Sequence, residues 1–146
     1  MSAERQRLPL LLLSLLAESP RHGYALNEEI ERRSVRQWAA VGLSSIYQTL
    51  ERMAAEGLLA GQEQSTDGQG ARLRTVYSIT AAGRTRLQTL IHASLASTEH
   101  QRFDYDLGVG VGLTHLSHAE VRQALEQRRI AIQAQAHRAA EACEWW

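Results

Sequence analysis

The chain has 146 residues, 44% hydrophobic and 22% charged, enough for one core or for a small domain with an appended helical arm. Sixteen basic and sixteen acidic residues give a formal net charge of zero, which taken alone argues against DNA binding, and lysine is absent. The single cysteine, Cys143, excludes an internal disulfide framework and fits a reducing compartment.

All sixteen basic residues are arginine. That suits bidentate contacts to phosphate and guanine, and it equally suits the codon bias of a GC-rich genome. The charge is unevenly spread. Residues 1–91 hold 11 arginines against 9 acidic residues, net +2, and residues 92–146 hold 5 against 7, net −2. A weakly basic front and an acidic rear suit a DNA reader with an oligomerisation tail that makes few phosphate contacts per subunit.

In chain order, Arg5 to Ala17 predicts a first helix, leucine on most sides, with Pro9 near its first turn. Arg5 and Arg7 before Leu8 to Ala17 superficially resemble a secretory signal. Glu18 and Pro20 break that pattern, and the run falls far short of the ~20 residues that span a bilayer. A buried helix of a cytoplasmic protein, with no membrane partner, is expected.

Ser19 to Gly23 reads as a turn. Tyr24 to Arg33 reads as an amphipathic helix with Leu26 and Ile30 inward and Glu28, Glu29, Glu31 and Arg32 outward. Ser34 to Val41 is a link. The stretch from Gly42 to Gly57 then predicts a short helix whose apolar stripe is Leu43, Ile46, Leu50, Met53 and Ala54. Its opposite face carries Ser44, Ser45, Gln48 and Arg52, with small Ala55 beside them. Short hydroxyls, one amide and one guanidinium on an exposed helix face can hydrogen-bond base edges and phosphates in a major groove.

Leu58 to Gln64 and Arg74 to Ile79 read as two strands around the polar loop Ser65 to Ala71. Three helices followed by a two-stranded hairpin make a winged helix-turn-helix. Thr80 is the expected N-cap of a helix to about Thr98, with Leu87, Leu90, Ile91 and Leu95 on one side. Residues 103–116 remain open between a strained helix and an irregular segment, because Gly108, Gly110 and Gly112 alternate with Val109, Val111 and Leu113. Ser117-His118-Ala119-Glu120 is a capping box that opens a long helix to about Ala142. Val121, Leu125, Arg128, Ile132 and Ala139 form its inner stripe, broad enough to pack on a second chain.

The expected fold is thus mainly α with a small β-hairpin: a winged helix-turn-helix in residues 1–80 and a helical linker and dimerisation arm in residues 81–146. DNA contacts are assigned to Ser44, Ser45, Gln48 and Arg52 on the recognition helix, with Arg52 on phosphate. Arg72, Arg74 and Thr75 on the wing would touch the backbone. His22 and Tyr24 stand where the free N–H groups of a helix start favour a phosphate. Tyr47 offers its hydroxyl to a phosphate or serves only the core, and Tyr24 carries the same two readings. Trp38, Phe103 and Tyr105 are candidates for an effector pocket, or are packing. His92, His100, His115, His118, His137 and Cys143 match no closed metal site, so neither metal nor cofactor is expected. Nor is an enzyme, since no Gly-x-Ser-x-Gly, His-Glu-x-x-His or phosphate-binding glycine loop occurs.

Four motifs carry a resemblance over residues 8–91. Leu10 to Leu16 and Pro20-Arg21-His22-Gly23-Tyr24-Ala25-Leu26 resemble the leucine-rich helix and His-Gly-Tyr motif of the PadR-like transcriptional regulators. Ser44-Ser45-Ile46-Tyr47-Gln48-Thr49-Leu50 is similar to their Gly-Thr-Leu-Tyr-Pro-x-Leu pattern. Glu56-Gly57-Leu58-Leu59 and Val76 to Gly83 resemble the helix exit and the wing-to-helix Tyr-x-x-Thr-x-x-Gly. The resemblance implies a homodimeric regulator, most often a repressor, bound to a pseudo-palindromic operator in double-stranded DNA and released by a small-molecule effector in several members. Ser45 and Gln48 replace the family's Thr and Pro, which implies a different base preference, and Gly70 to Thr75 keeps only part of the wing's charge. A second hypothesis, favoured by the zero net charge, is a winged-helix protein-interaction or ligand-binding module without DNA binding.

Overall fold

A computed structural model, which describes residues 4–33, 42–65, 73–96 and 102–143, turns the apolar periodicities into helices. The described residues fall into two compact units, 1–87 and 88–146.

In the first unit, α1 (Glu4–Glu18) buries Leu10 to Leu13, Leu15 and Leu16 all around its circumference, which makes it a central element. It starts earlier than expected, so Pro9 lies in its second turn and removes one intrahelical N–H. Helix α2 (Gly23–Arg32) contributes Leu26 and Ile30, and α3 (Leu43–Ala55) contributes Ile46, Leu50 and Met53. Each such side chain taken fully out of water contributes about 1.5–3 kcal/mol. Two expectations about these helices are corrected. Leu43, at the exposed first turn of α3, leaves 40% of its surface open, and Glu29 is buried instead of facing solvent.

The sheet also differs from the expected two-stranded hairpin. Strands β2 (Leu59–Ser65) and β3 (Leu73–Ile79) pair antiparallel, Leu59 opposite Ile79 and Ser65 opposite Leu73. A third strand, β1 (Arg21–His22), pairs antiparallel with the other edge of β3, Arg21 opposite Tyr77 and His22 opposite Val76. The segment that reads as a turn is therefore extended, because the free edge of β3 offers its backbone hydrogen bonds.

Thr80 joins the wing to α4 (Ala81–Ala96). Its hydroxyl accepts from the Gly83 N–H at 3.1 Å, as an N-cap does, and lies within donating distance of the Gly57 and Leu58 carbonyls. Gly57 leaves α3 at φ +74°, a conformation that favours glycine. A Cβ on Gly83 would fall on the Leu58 carbonyl oxygen, so glycine permits this close approach.

In the second unit, residues 102–115 are helical throughout as α5 (Arg102–His115), which settles the alternative left open by the glycines. A Cβ at Gly108 would lie 2.5 Å from Ser94 Oγ, and one at Gly112 would lie 3.2 Å from Ile91. These glycines, four residues apart on one face, let α5 approach the residues of α4 closely. Helix α6 (His118–Cys143) opens on the expected capping box. The Ser117 N–H and hydroxyl donate to the Glu120 carboxylate at 2.9 and 2.7 Å, and the Glu120 N–H donates to Ser117 Oγ at 3.3 Å. Those bonds hold the Glu120 carboxyl below its ordinary pKa. Along α6, Val121 and Ala124 are buried, Leu125 and Arg128 half-buried, and Ile130 and Ile132 exposed. The side chain of Ala139 lies outside the described residues.

Candidate nucleic-acid interface

Three elements meet around the ring of Tyr47. Because β1 pairs with β3, His22 stands beside the wing and also caps α2: its Nδ1 accepts from the Ala25 N–H at 3.1 Å. That bond requires an unprotonated Nδ1, so in the neutral ring the proton sits on Nε2, where it can be donated. The next residue has no side chain for a reason. A Cβ on Gly23 would lie 2.5 Å from Tyr47 Cε1, so the tyrosine ring packs on bare backbone at the start of α2.

Together His22, Tyr24, Tyr47, Arg74 and Thr75 line an open cleft of about 540 Å³, completed by Gly23, Glu51 and Tyr77. Five of the ten residues assigned to DNA contact thus converge from β1, α2, α3 and β3. Tyr24 and Tyr47 are 50% and 40% exposed, so neither serves the core alone. Tyr77 is the buried floor, and its hydroxyl pKa is raised first by burial, then by the charge of Glu51. Sequence reasoning missed Glu51, Gly23 and Tyr77. Helical spacing alone could have found Glu51.

The other assigned residues divide. Ser44, Ser45 and Gln48 are exposed on α3. Arg52 lies on the far flank of that helix, in a separate cleft of about 170 Å³ with Gln6, Pro9 and Arg86, and its Nε stands 3.9 Å from Glu56. At that distance, with both side chains more than half exposed, the pair holds Arg52 only weakly. Arg72 lies outside the described residues. So do Trp38 and the side chains of Phe103 and Tyr105, the three assigned to an effector pocket.

An ionic brace sets the pose of α2. Glu29 accepts from Arg32 Nε at 2.9 Å and Arg33 Nε at 2.6 Å, with Arg21 3.6 Å away. Arg33 also donates to both carboxylate oxygens of Glu18, at 2.8 and 2.6 Å. The hydrogen bond from Arg32, helped by Arg33 and opposed by burial, lowers the Glu29 pKa to about 2. The bonds from Glu18 and Glu29 raise the pKa of Arg33. Three guanidiniums around one carboxylate explain why Glu29 can be buried.

Among the described residues there is no group of three metal-ligating side chains, and no helix is long and apolar enough to cross a membrane. The arrangement offers a polar helix face flanked by tyrosines, an imidazole and an arginine, which can take hydrogen-bond acceptors and anionic oxygens.

The chain resembles known proteins in sequence and in fold. The transcriptional regulator Rv3488 of Mycobacterium tuberculosis is 36% identical over 84 residues, spanning 58% of this chain and 72% of that protein. Among solved structures, Bacillus subtilis PadR in complex with operator DNA superposes with a TM-score of 0.55 at 18% identity, covering 92% of this chain and 72% of that one. Likeness at that identity bears on the fold, a winged helix with a helical arm. The family model of the PadR-like transcriptional regulators matches residues 12–89, more than half of the sequence, and the chain belongs to that family.

Proposed function

We propose that this protein regulates transcription by laying α3 in the major groove of a pseudo-palindromic operator, while the wing and the start of α2 grip the flanking phosphates. The observation that carries the reading is the cleft in which His22, Tyr24, Tyr47, Arg74 and Thr75 meet beside the exposed Ser44 and Gln48. Phosphate contacts fix register and base-edge contacts specify, and the two sets of side chains divide along that line. A homodimer would present two such helices to half-sites about one helical turn, ~34–36 Å, or a multiple apart. The exposed Ile130 and Ile132 on α6 support a second copy of the chain as their cover. The finer reading is a cytoplasmic repressor, not an enzyme, that a small molecule releases by favouring a dimer whose helices no longer match the half-sites.

Fluorescence anisotropy against the DNA upstream of the protein's own gene, at several salt concentrations, tests this. Sub-micromolar, salt-dependent binding that resists random competitor DNA is expected. Arg74→Ala should weaken it and reduce the slope of log K against log salt by about one. Compounds that abolish the signal would identify an effector. No binding even at low salt would move the protein-interaction module to first place.

A further inference from the structure

The exposed face of α3 has a carboxylate near its centre. The buried side chains Ile46, Thr49, Leu50 and Met53 define the inward direction. At about 100° per residue, the positions within about 30° of the opposite direction are Ser44, Gln48, Glu51 and Ala55. Arg52 and Ser45 stand about 70° and 90° away, on the flank. Glu51 therefore faces outward more directly than the arginine beside it in sequence.

Glu51 also lines the cleft beside Tyr47, Arg74 and Thr75. Among the described residues Glu51 forms no ion pair, and its charge is felt by the Tyr77 hydroxyl. A carboxylate on a face that meets a polyanion, with no ion-pair partner among the described residues, opposes every phosphate contact. It is tolerated in a tight complex only if it finds a donor there.

Resting on the DNA-binding reading above, we propose that Glu51 is a specificity-determining residue that accepts a hydrogen bond from the exocyclic N4 amino group of a cytosine in the major groove. Of the four bases, cytosine and adenine present an amino donor in that groove. Adenine places its N7 lone pair beside the amino group, where it repels a carboxylate. Cytosine does not. Guanine offers only acceptors, and thymine an acceptor and a methyl group. Elsewhere on DNA, Glu51 meets phosphate and acceptor atoms, so it lowers non-specific affinity as it adds specific affinity.

In vitro selection from a random duplex library, with the full-length wild type, Glu51→Gln, Glu51→Ala and Glu56→Gln, tests the assignment. The wild type should enrich a motif with one cytosine in each half-site preferred by about tenfold. Glu51→Gln should shift that position toward adenine, which a glutamine amide can contact at N6 and N7, and leave the others in place. Glu51→Ala should lose the preference there. Both should bind random DNA more tightly than the wild type. Glu56→Gln, which removes an equal charge at the flank, should leave the motif unchanged. A wild-type motif retained at every position by both Glu51 variants overturns the assignment, as does a motif shift in Glu56→Gln. A wild type that enriches no motif overturns the DNA-binding reading, and the assignment with it.

Discussion

At the scale of single residues, the proposed interface depends on an absence. Gly23 leaves the room that the Tyr47 ring occupies, and an added methyl would stand 2.5 Å from that ring. Overpacking in a closed core costs about 1–3 kcal/mol. Here Tyr47 is 40% exposed, so the ring can swing into solvent at little cost to the core. Gly23→Ala should therefore leave thermal unfolding nearly unchanged while lowering DNA affinity about tenfold, equivalent to roughly 1.4 kcal/mol. A large fall in melting temperature with unaltered affinity would assign the glycine to stability instead. His22, Tyr24 and Tyr47 were legible as candidates because they sit at helix starts or beside an apolar stripe. Gly23 was legible only as part of a motif, since what a missing side chain makes room for depends on a residue 24 positions away.

At the scale of elements, the wing-to-helix junction concentrates two requirements in four residues. Thr80 caps α4 and ties it to the end of α3, and Gly83 lets α4 approach the Leu58 carbonyl. Replacing a threonine cap by alanine costs about 0.5–2 kcal/mol. An added Cβ at Gly83 meets backbone, which cannot rotate away as a side chain can, so its cost lies at or above the ~3 kcal/mol upper end of overpacking. Denaturant unfolding should rank Gly83→Ala below Thr80→Ala in stability, and the reverse order would refute this account of the junction. Helices and caps were readable because 3.6-residue periodicity and capping residues are local signals. Strand β1 was not, because two residues carry no period and their conformation comes from pairing with Tyr77 and Val76. The α5 glycines were unreadable for a similar reason. As propensities they argue against a helix, and the close approach to Ile91 and Ser94 outweighs that preference.

At the scale of the whole molecule, acid should loosen the fold through the Glu29 brace. The Glu29 pKa falls from an ordinary 4.5 to about 2 in the folded chain, so the unfolded chain binds the proton more readily. The stability this carboxylate contributes is complete above about pH 4.5 and is lost as pH falls toward 2. Melting temperature measured across that window should drop steeply for the wild type, and Glu29→Gln should start lower and vary less. Equal slopes for the two would refute the brace. The sequence by itself determined the helices other than α5, the caps at Thr80 and Ser117, the winged-helix class and the family, because these rest on short-range periodicity and on motifs in a set order. Only the tertiary structure decided which polar residues act together. It separated Arg52 from the cleft, buried Glu29 among three arginines and set Glu51 near the middle of the exposed face of α3. Those outcomes depend on distances between residues remote in the chain, and a net charge of zero carries no record of where its sixteen positive and sixteen negative charges meet.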